Sequence, residues 1–254
     1  MNHRTAAALA RRAPFDGAAR YLPFAETFVG HMPDEAHVVS LGDGIGSTVK
    51  WLRSQFEVAQ RWTFTVVDSD HALLEMVPDG LASIEQRGPH QLADWAVAVD
   101  GVLVTDLAGV DSEGLALVSS WVARSRAPLL AGPVPDGSVR WHPRHPHDEQ
   151  LQAAVRLHQR VTGAGPHAAT WLADHLRIRG YDVRAVAAPW QVESRQRAMV
   201  RRLIEDTAAQ ASLIHGDRSM IEAWRHTRLL QARVDAVEVT VGQWDVVALP
   251  AERV

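Results

Sequence analysis

Three glycines at alternate positions, Gly42, Gly44 and Gly46, interrupt the stretch HVVSLGDGIGSTVKWL at residues 37–52. Glycine costs conformational entropy on folding, so this pattern marks either a tight turn or a backbone that something must approach closely. An apolar run precedes the glycines and a helix-period pattern follows them. Strand, glycine loop and helix together bring an adenosine-containing ligand against bare backbone. Asp68 closes the next apolar run, 26 residues after Gly42, where a carboxylate can accept both hydroxyls of a ribose. Either feature alone also fits a plain turn or a solvated strand-end acid. Both on consecutive strands predict a nucleoside site. The spacing narrows the ligand: a dinucleotide loop puts its third glycine five residues after the first, whereas Gly46 comes at four and position 47 is Ser. This tighter loop suits an amino-acid portion rather than a pyrophosphate and argues against NAD.

A second group of residues with chemical potential is WHPRHPHDE, which sets His142, His145 and His147 beside Asp148. Neutral imidazoles bind zinc or iron. The prolines hold this path extended, however, and nothing in the spacing brings three rings to one point, so no metal is expected. Imidazole titrates near neutrality, which makes His142, His145 and His158 the candidate general bases. For the WHPRHPHDE segment a solvated or pocket-rim loop is the plainer reading, with a general base as the alternative. His158, Gln159 and Arg160 end a helical pattern before a glycine-rich break, as a cationic helix terminus or as a polar cluster overhanging a cleft. Trp141 and Trp190 follow expected strand ends and are placed to line a pocket; Trp171 and Trp224 read as packing residues.

The elements that must position these groups alternate. Strands are expected at 36–41, 64–70, 81–87, 101–106 and 127–134, with helices at 47–56, 71–77, 91–99 and 112–125 between them. Such alternation predicts an α/β, Rossmann-like, mostly parallel doubly wound sheet with helices on both faces. A helical leader within residues 1–35 is broken at APFDG. After residue 134 a turn and a proline-punctuated loop lead into helical additions at about 146–179 and 191–236, with a strand at 181–190 between them. The end, VDAVEVTVGQWDVVALP, alternates about Gly242 as a hairpin-like pair or as an edge strand plus a core strand. No clean linker interrupts residues 1–254, so one domain is expected, with the additions capping the cleft.

VVSLGDGIGSTVKWL and WTFTVVDSDHALL together resemble motif I and the acidic second-strand motif of the class I S-adenosylmethionine-dependent methyltransferases, and the correspondence runs over nearly the whole chain. That resemblance implies a seven-stranded sheet whose last strand is inserted antiparallel. It implies S-adenosyl-L-methionine as cofactor and S-adenosyl-L-homocysteine as product. Gly42, Gly44 and Gly46 would pass under the methionine and ribose portions, Asp68 would hold the ribose, and Ser69 would lie beside the adenine. Asp106 would end the fourth strand at the cleft. His90 and Gln91 occupy the region where the family often carries an acid facing the adenine amine.

Two positions depart from the family pattern. The acid that opens motif I is Ser40 here, and Asp43 comes two residues too late to substitute directly. The acid after the third strand is missing as well, unless Asp94 reaches back. Either the cofactor site is weakened, which an acid restored at Ser40 would reverse, or the methionine end is held by Asp43 or by the RRAPFD leader.

Composition bounds the rest. The chain has 254 residues, 46% hydrophobic and 22% charged, with a net charge of −4 and no cysteine. There is no basic footprint for nucleic acid, no thiolate chemistry, and no signal peptide or membrane span is read. A cytoplasmic enzyme of small-molecule metabolism is expected, with a small-molecule acceptor and self-association left open. The function expected is methyl transfer to an O, N or C nucleophile. The alternatives are a vestigial or regulatory binding partner, or non-methyl chemistry such as cyclisation or elimination.

Overall fold

Val38 and Val39, both fully buried, point to opposite faces of the first strand and join different cores. That is the signature of a strand covered by helices on both sides. In the computed structural model, which describes residues 5–251, this strand is β1 (His37–Leu41). Residues 1–4 of the expected leader and 252–254 of the expected single domain lie outside the described residues. Strands β2 (Thr63–Asp68), β3 (Ser83–Gln86), β4 (Gly101–Val104) and β5 (Leu129–His142) follow, each parallel to its neighbour. Strands β6 (Tyr181–Ala187), β7 (Trp190–Val192) and β8 (Glu238–Pro250) complete the sheet.

The order is β3-β2-β1-β4-β5-β8-β6, with β7 pairing β8 beside β6. Strand β8 is antiparallel to β5, β6 and β7. The expected seven-stranded path with an antiparallel last strand is therefore present, and β7 makes an eighth strand. Strand order reverses between β1 and β4, and ligands of open α/β sheets bind at the carboxyl ends of strands at such a point.

Helices α1 (Ala6–Ala19), α2 (Leu22–Val29) and α3 (Ser47–Gln55) precede β2, and α4 (His71–Leu74) follows it. Helix α5 (Ser112–Ser125) links β4 to β5. The additions are α6 (Asp148–Thr162), α7 (Ala168–Ile178), α8 (Arg197–Ser212) and α9 (Arg218–Arg233). Helices α6, α8 and α9 share an apolar cluster with Trp141, Trp190 and Val239 of the sheet. At its heart the fully buried Arg228 of α9 donates to both carboxylate oxygens of Asp148 (2.8 and 2.6 Å), tying α9 to the start of α6. Among the described residues no helix is long and apolar enough to cross a membrane.

Several local expectations are corrected. The helix expected at 91–99 is a single 3-10 turn at Pro89–Leu92 followed by extended chain. Trp95, Val97 and Val99 alternate toward the core with period two. The carbonyls that a helix would use are taken from α5: Trp121 Nε1 donates to Trp95 O, and Arg124 donates to Leu92 O and Ala93 O. Helix α1 runs through Pro14 and Gly17 rather than breaking there. Gly17 serves close packing, since a Cβ would lie 3.0 Å from Trp51 Cδ1 of α3.

Residues 135–142, expected as turn and loop, prolong β5 along β8. The register shifts beside Pro133 and Pro135 release the ladder positions at which proline cannot donate. The expected strand at 181–190 divides into β6 and β7, both paired to β8. Gly242 makes no hairpin. It lies inside the continuous β8, where a side chain would collide with Asp136 and Ser138 of β5.

Candidate functional site

Gly42, Gly44 and Gly46 all have positive φ (72°, 59° and 74°), the left-handed region that side chains disfavour. At Gly42 the requirement is also steric, because a Cβ would lie 2.6 Å from Thr105 O of the neighbouring strand end. The Gly42 N–H donates to Val67 O at 2.8 Å, pinning the loop between β2 and β4.

Asp43 is buried in this loop and points back at α3. It accepts from Thr48 N (2.9 Å), Val49 N (3.3 Å) and Ser47 Oγ (3.2 Å), capping a helix whose own N-cap, Gly46, has no side chain. Ser40 Oγ donates to its other face at 3.0 Å. Asp68, 2% exposed, accepts from Gly44 N and Asp70 N, each at 3.0 Å, so β2 and the glycine loop are locked together.

Two clefts open on this loop, and a third adjoins them at Asp106. One is bounded by Gly42, Asp68, Ser69, Arg87, Pro89 and the apolar wall Leu92, Val104 and Leu107. A second, narrow one lies between the loop and α1 and is lined by Arg12, Asp16, Arg20, Asp43 and Thr105. The third, the largest of the three, is roofed by α6 and α8 and lined by Trp190, Gln159, Gln243, Arg202 and Asp206. Asp106 lines all three and is itself in the left-handed region at φ 51°.

No protein-family model matches the sequence, and no curated protein matches it. Solved structures do match in fold. Phosphoethanolamine N-methyltransferase 2 of Haemonchus contortus, solved with phosphomonomethylethanolamine and S-adenosylhomocysteine, aligns over 98% of this chain and 59% of its own length, with TM-score 0.50 at 11% identity. The same enzyme solved with S-adenosyl-L-methionine aligns over 98% of this chain and 58% of that one, with TM-score 0.50 at 13% identity. The chain thus spans less than two thirds of that enzyme. A Thiobacillus denitrificans S-adenosylmethionine-dependent methyltransferase covers 99% of this chain and 100% of its own, with TM-score 0.48 at 16% identity.

This is the class I S-adenosylmethionine-dependent methyltransferase fold. Within that methyltransferase fold the candidate residues divide. Gly42, Asp43, Asp68, Ser69 and Asp106 border the clefts at the strand ends, and Gly44 and Gly46 complete the loop. Ser40 is fully buried behind the loop, spent on Asp43. His90 is exposed and lines none of the three clefts. Gln91 turns back on its own turn, where Oε1 accepts from Gly88 N at 2.7 Å. Arg87 stands at the cleft instead of either, and Asp94 does not reach it.

The three candidate histidine bases need the clearest correction: His142, His145 and His158 line none of the three clefts joined at Asp106. The prolongation of β5 carries His142 away along the strand, opposite Glu238. His145 sits at the entry to α6, where its Nδ1 accepts from His147 N at 3.2 Å; burial first and then the Arg228 charge push its pKa down. Gln159, next to His158, is the residue of that group that lines the large cleft. Among the described residues no cluster fit to hold a metal is found.

Trp190 lines the large cleft, whereas Trp141 packs edge-on against Trp224 in the additions, 5.3 Å between ring centroids. Arg20, Thr105, Arg202, Asp206 and Gln243 carry no motif and were not legible as site residues. Arg12 and Asp16 were, through the RRAPFD leader.

Proposed function

We propose that this chain transfers a methyl group from S-adenosyl-L-methionine to a small-molecule acceptor, as one domain whose helices α6 and α8 cover the acceptor. The observation that carries the reading is the continuity of the three clefts through Asp106, from the glycine loop to the covered cavity. The residues fit the cofactor. Asp68 offers a carboxylate for a ribose, and Leu92, Val104 and Leu107 offer apolar walls for a purine. Arg87 Nε, buried with no protein acceptor, is a donor for a ring nitrogen. When bound, the cofactor supplies an electrophilic methyl on a sulfonium.

The protein's contribution is alignment and exclusion of water. Trp190, Met199, Leu203 and Val241 give the large cleft apolar walls, and Gln159 and Gln243 give it hydrogen-bonding groups that orient the acceptor. Asp106, where the clefts join, is the carboxylate placed to accept a hydrogen bond or a proton from an acceptor N–H or O–H. The acceptor reading is thus an N or O nucleophile of a small polar molecule with an apolar part.

Calorimetric titration with S-adenosyl-L-homocysteine tests the cofactor assignment. Micromolar binding, abolished in Gly44→Val, is expected. No binding at millimolar ligand overturns the reading.

A further inference from the structure

The loss of the motif I acid leaves the methionine end of the cofactor without its usual anion, yet the cleft at that end is rich in charge. Its lining holds Arg12, Arg20, Asp16, Asp43 and Asp106. Asp43 is committed to α3 and Ser40. Arg20 donates to Thr48 Oγ1 at 3.1 Å and lies over the Trp51 ring at 4.5 Å, with the carboxylates of Asp245, Asp16 and Asp43 around it.

Asp16 is different. Its Oδ2 accepts from Arg12 Nε at 3.2 Å, but Oδ1 is closed to solvent and accepts no hydrogen bond from the protein. The Trp190 indole N–H lies close enough to favour the ionised form without completing a hydrogen bond. Burial pushes the Asp16 pKa up even though Arg12 and Arg20 pull it down. A buried carboxylate oxygen in this condition is costly unless a donor reaches it.

We propose that Asp16 of α1 receives the ammonium group of the cofactor's amino-acid portion, replacing from the leader helix the acid that β1 lacks at Ser40. The assignment rests on the methyltransferase reading above. Arg12 and Arg20, on the same wall, are the cations that face the neighbouring carboxylate of that portion. The cofactor carries one net positive charge, and the lining carries three carboxylates against two guanidinium groups, so the charges are complementary. The closed α1 also explains why Gly17 is needed: without a side chain there, the helix lies against α3 and brings Asp16 to the loop.

The test compares two ligands on wild type and Asp16→Asn: S-adenosyl-L-homocysteine, and 5′-methylthioadenosine, which has the nucleoside and sulfur but no amino-acid portion. Asp16→Asn is expected to weaken S-adenosyl-L-homocysteine by about tenfold to a hundredfold, the worth of one charge-assisted hydrogen bond. Its affinity for 5′-methylthioadenosine should stay within about twofold. Far-UV circular dichroism of Asp16→Asn should match wild type, so that the difference between the two ligands reads the site. Unchanged binding of S-adenosyl-L-homocysteine, or equal losses for both ligands, overturns the assignment and leaves the cofactor reading intact. Wild-type protein that binds neither ligand overturns the cofactor reading, and this assignment with it.

Discussion

Ser40 Oγ donates to Asp43 Oδ2 at 3.0 Å, and both side chains are buried, Ser40 at 0% and Asp43 at 3% exposure. The serine that replaces the motif I acid is thus the partner of an acid that caps α3. Ser40→Asp would set a second carboxylate against a buried one. Stability should fall by about 1–3 kcal/mol in urea titration, with no tightening of S-adenosyl-L-homocysteine. Tighter binding in Ser40→Asp would refute this account of the loop. Asp43→Ala should cost about 1–2 kcal/mol through the lost cap.

Gly44 lies at φ 59°, and its N–H donates to Asp68 at 3.0 Å. A β-branched side chain there costs about 1–2 kcal/mol in backbone strain and moves the amide away from Asp68. Gly44→Val should keep its far-UV circular dichroism and lose nucleoside binding. Gly42→Ala should be more destabilising, because its Cβ would meet a backbone carbonyl at 2.6 Å. Retained affinity in both variants would contradict the cradle.

Gln243 is 2% exposed and its Oε1 accepts no hydrogen bond from the protein, although it borders the large cleft. A buried acceptor without a donor destabilises a fold, and binding sites tolerate that cost for function. Gln243→Met should raise stability by roughly 1 kcal/mol, or about 2–4 °C in a thermal melt. Cofactor affinity should not change, and methyl transfer should fall. A lower melting temperature would show that Gln243 is structural.

Tyr181, 7% exposed, donates to Val122 O and Ala127 O at 3.0 and 3.1 Å, and burial pushes its pKa up to about 12 from 10.0. Below pH 10 both folded and unfolded forms are protonated and the contribution is complete. Above that the unfolded chain ionises first, so stability declines until the folded phenol also titrates at about 12. The loss across this window is on the order of 2–3 kcal/mol. Denaturant titrations from neutral to alkaline pH should show it in wild type and a smaller decline in Tyr181→Phe. Identical slopes would exclude Tyr181 as the source.

The sequence by itself determined the sheet and its switch point. Runs such as HVVSL and GVLV, too short for helices and rich in β-branched residues, specify buried parallel strands wherever helical segments connect them. It also determined the glycine loop and Asp68, because positive φ and a strand-end carboxylate are local requirements that residue type reveals.

Tertiary structure decided the rest, since the missed features depend on neighbours distant in the chain. QLADWAVAV carries an ambiguous period, and the donors Trp121 and Arg124 of α5 resolved it as extended. Gly242 reads as a turn, but it is a close approach imposed by Asp136 and Ser138, roughly a hundred residues earlier. The histidines look catalytic in sequence, yet pairing along β8 draws β5 past the cleft and takes His142 with it. Asp16 and Gln243 reach the clefts through the packing of α1 on α3 and the pairing of β5 with β8, and no local pattern encodes a contact between segments that far apart.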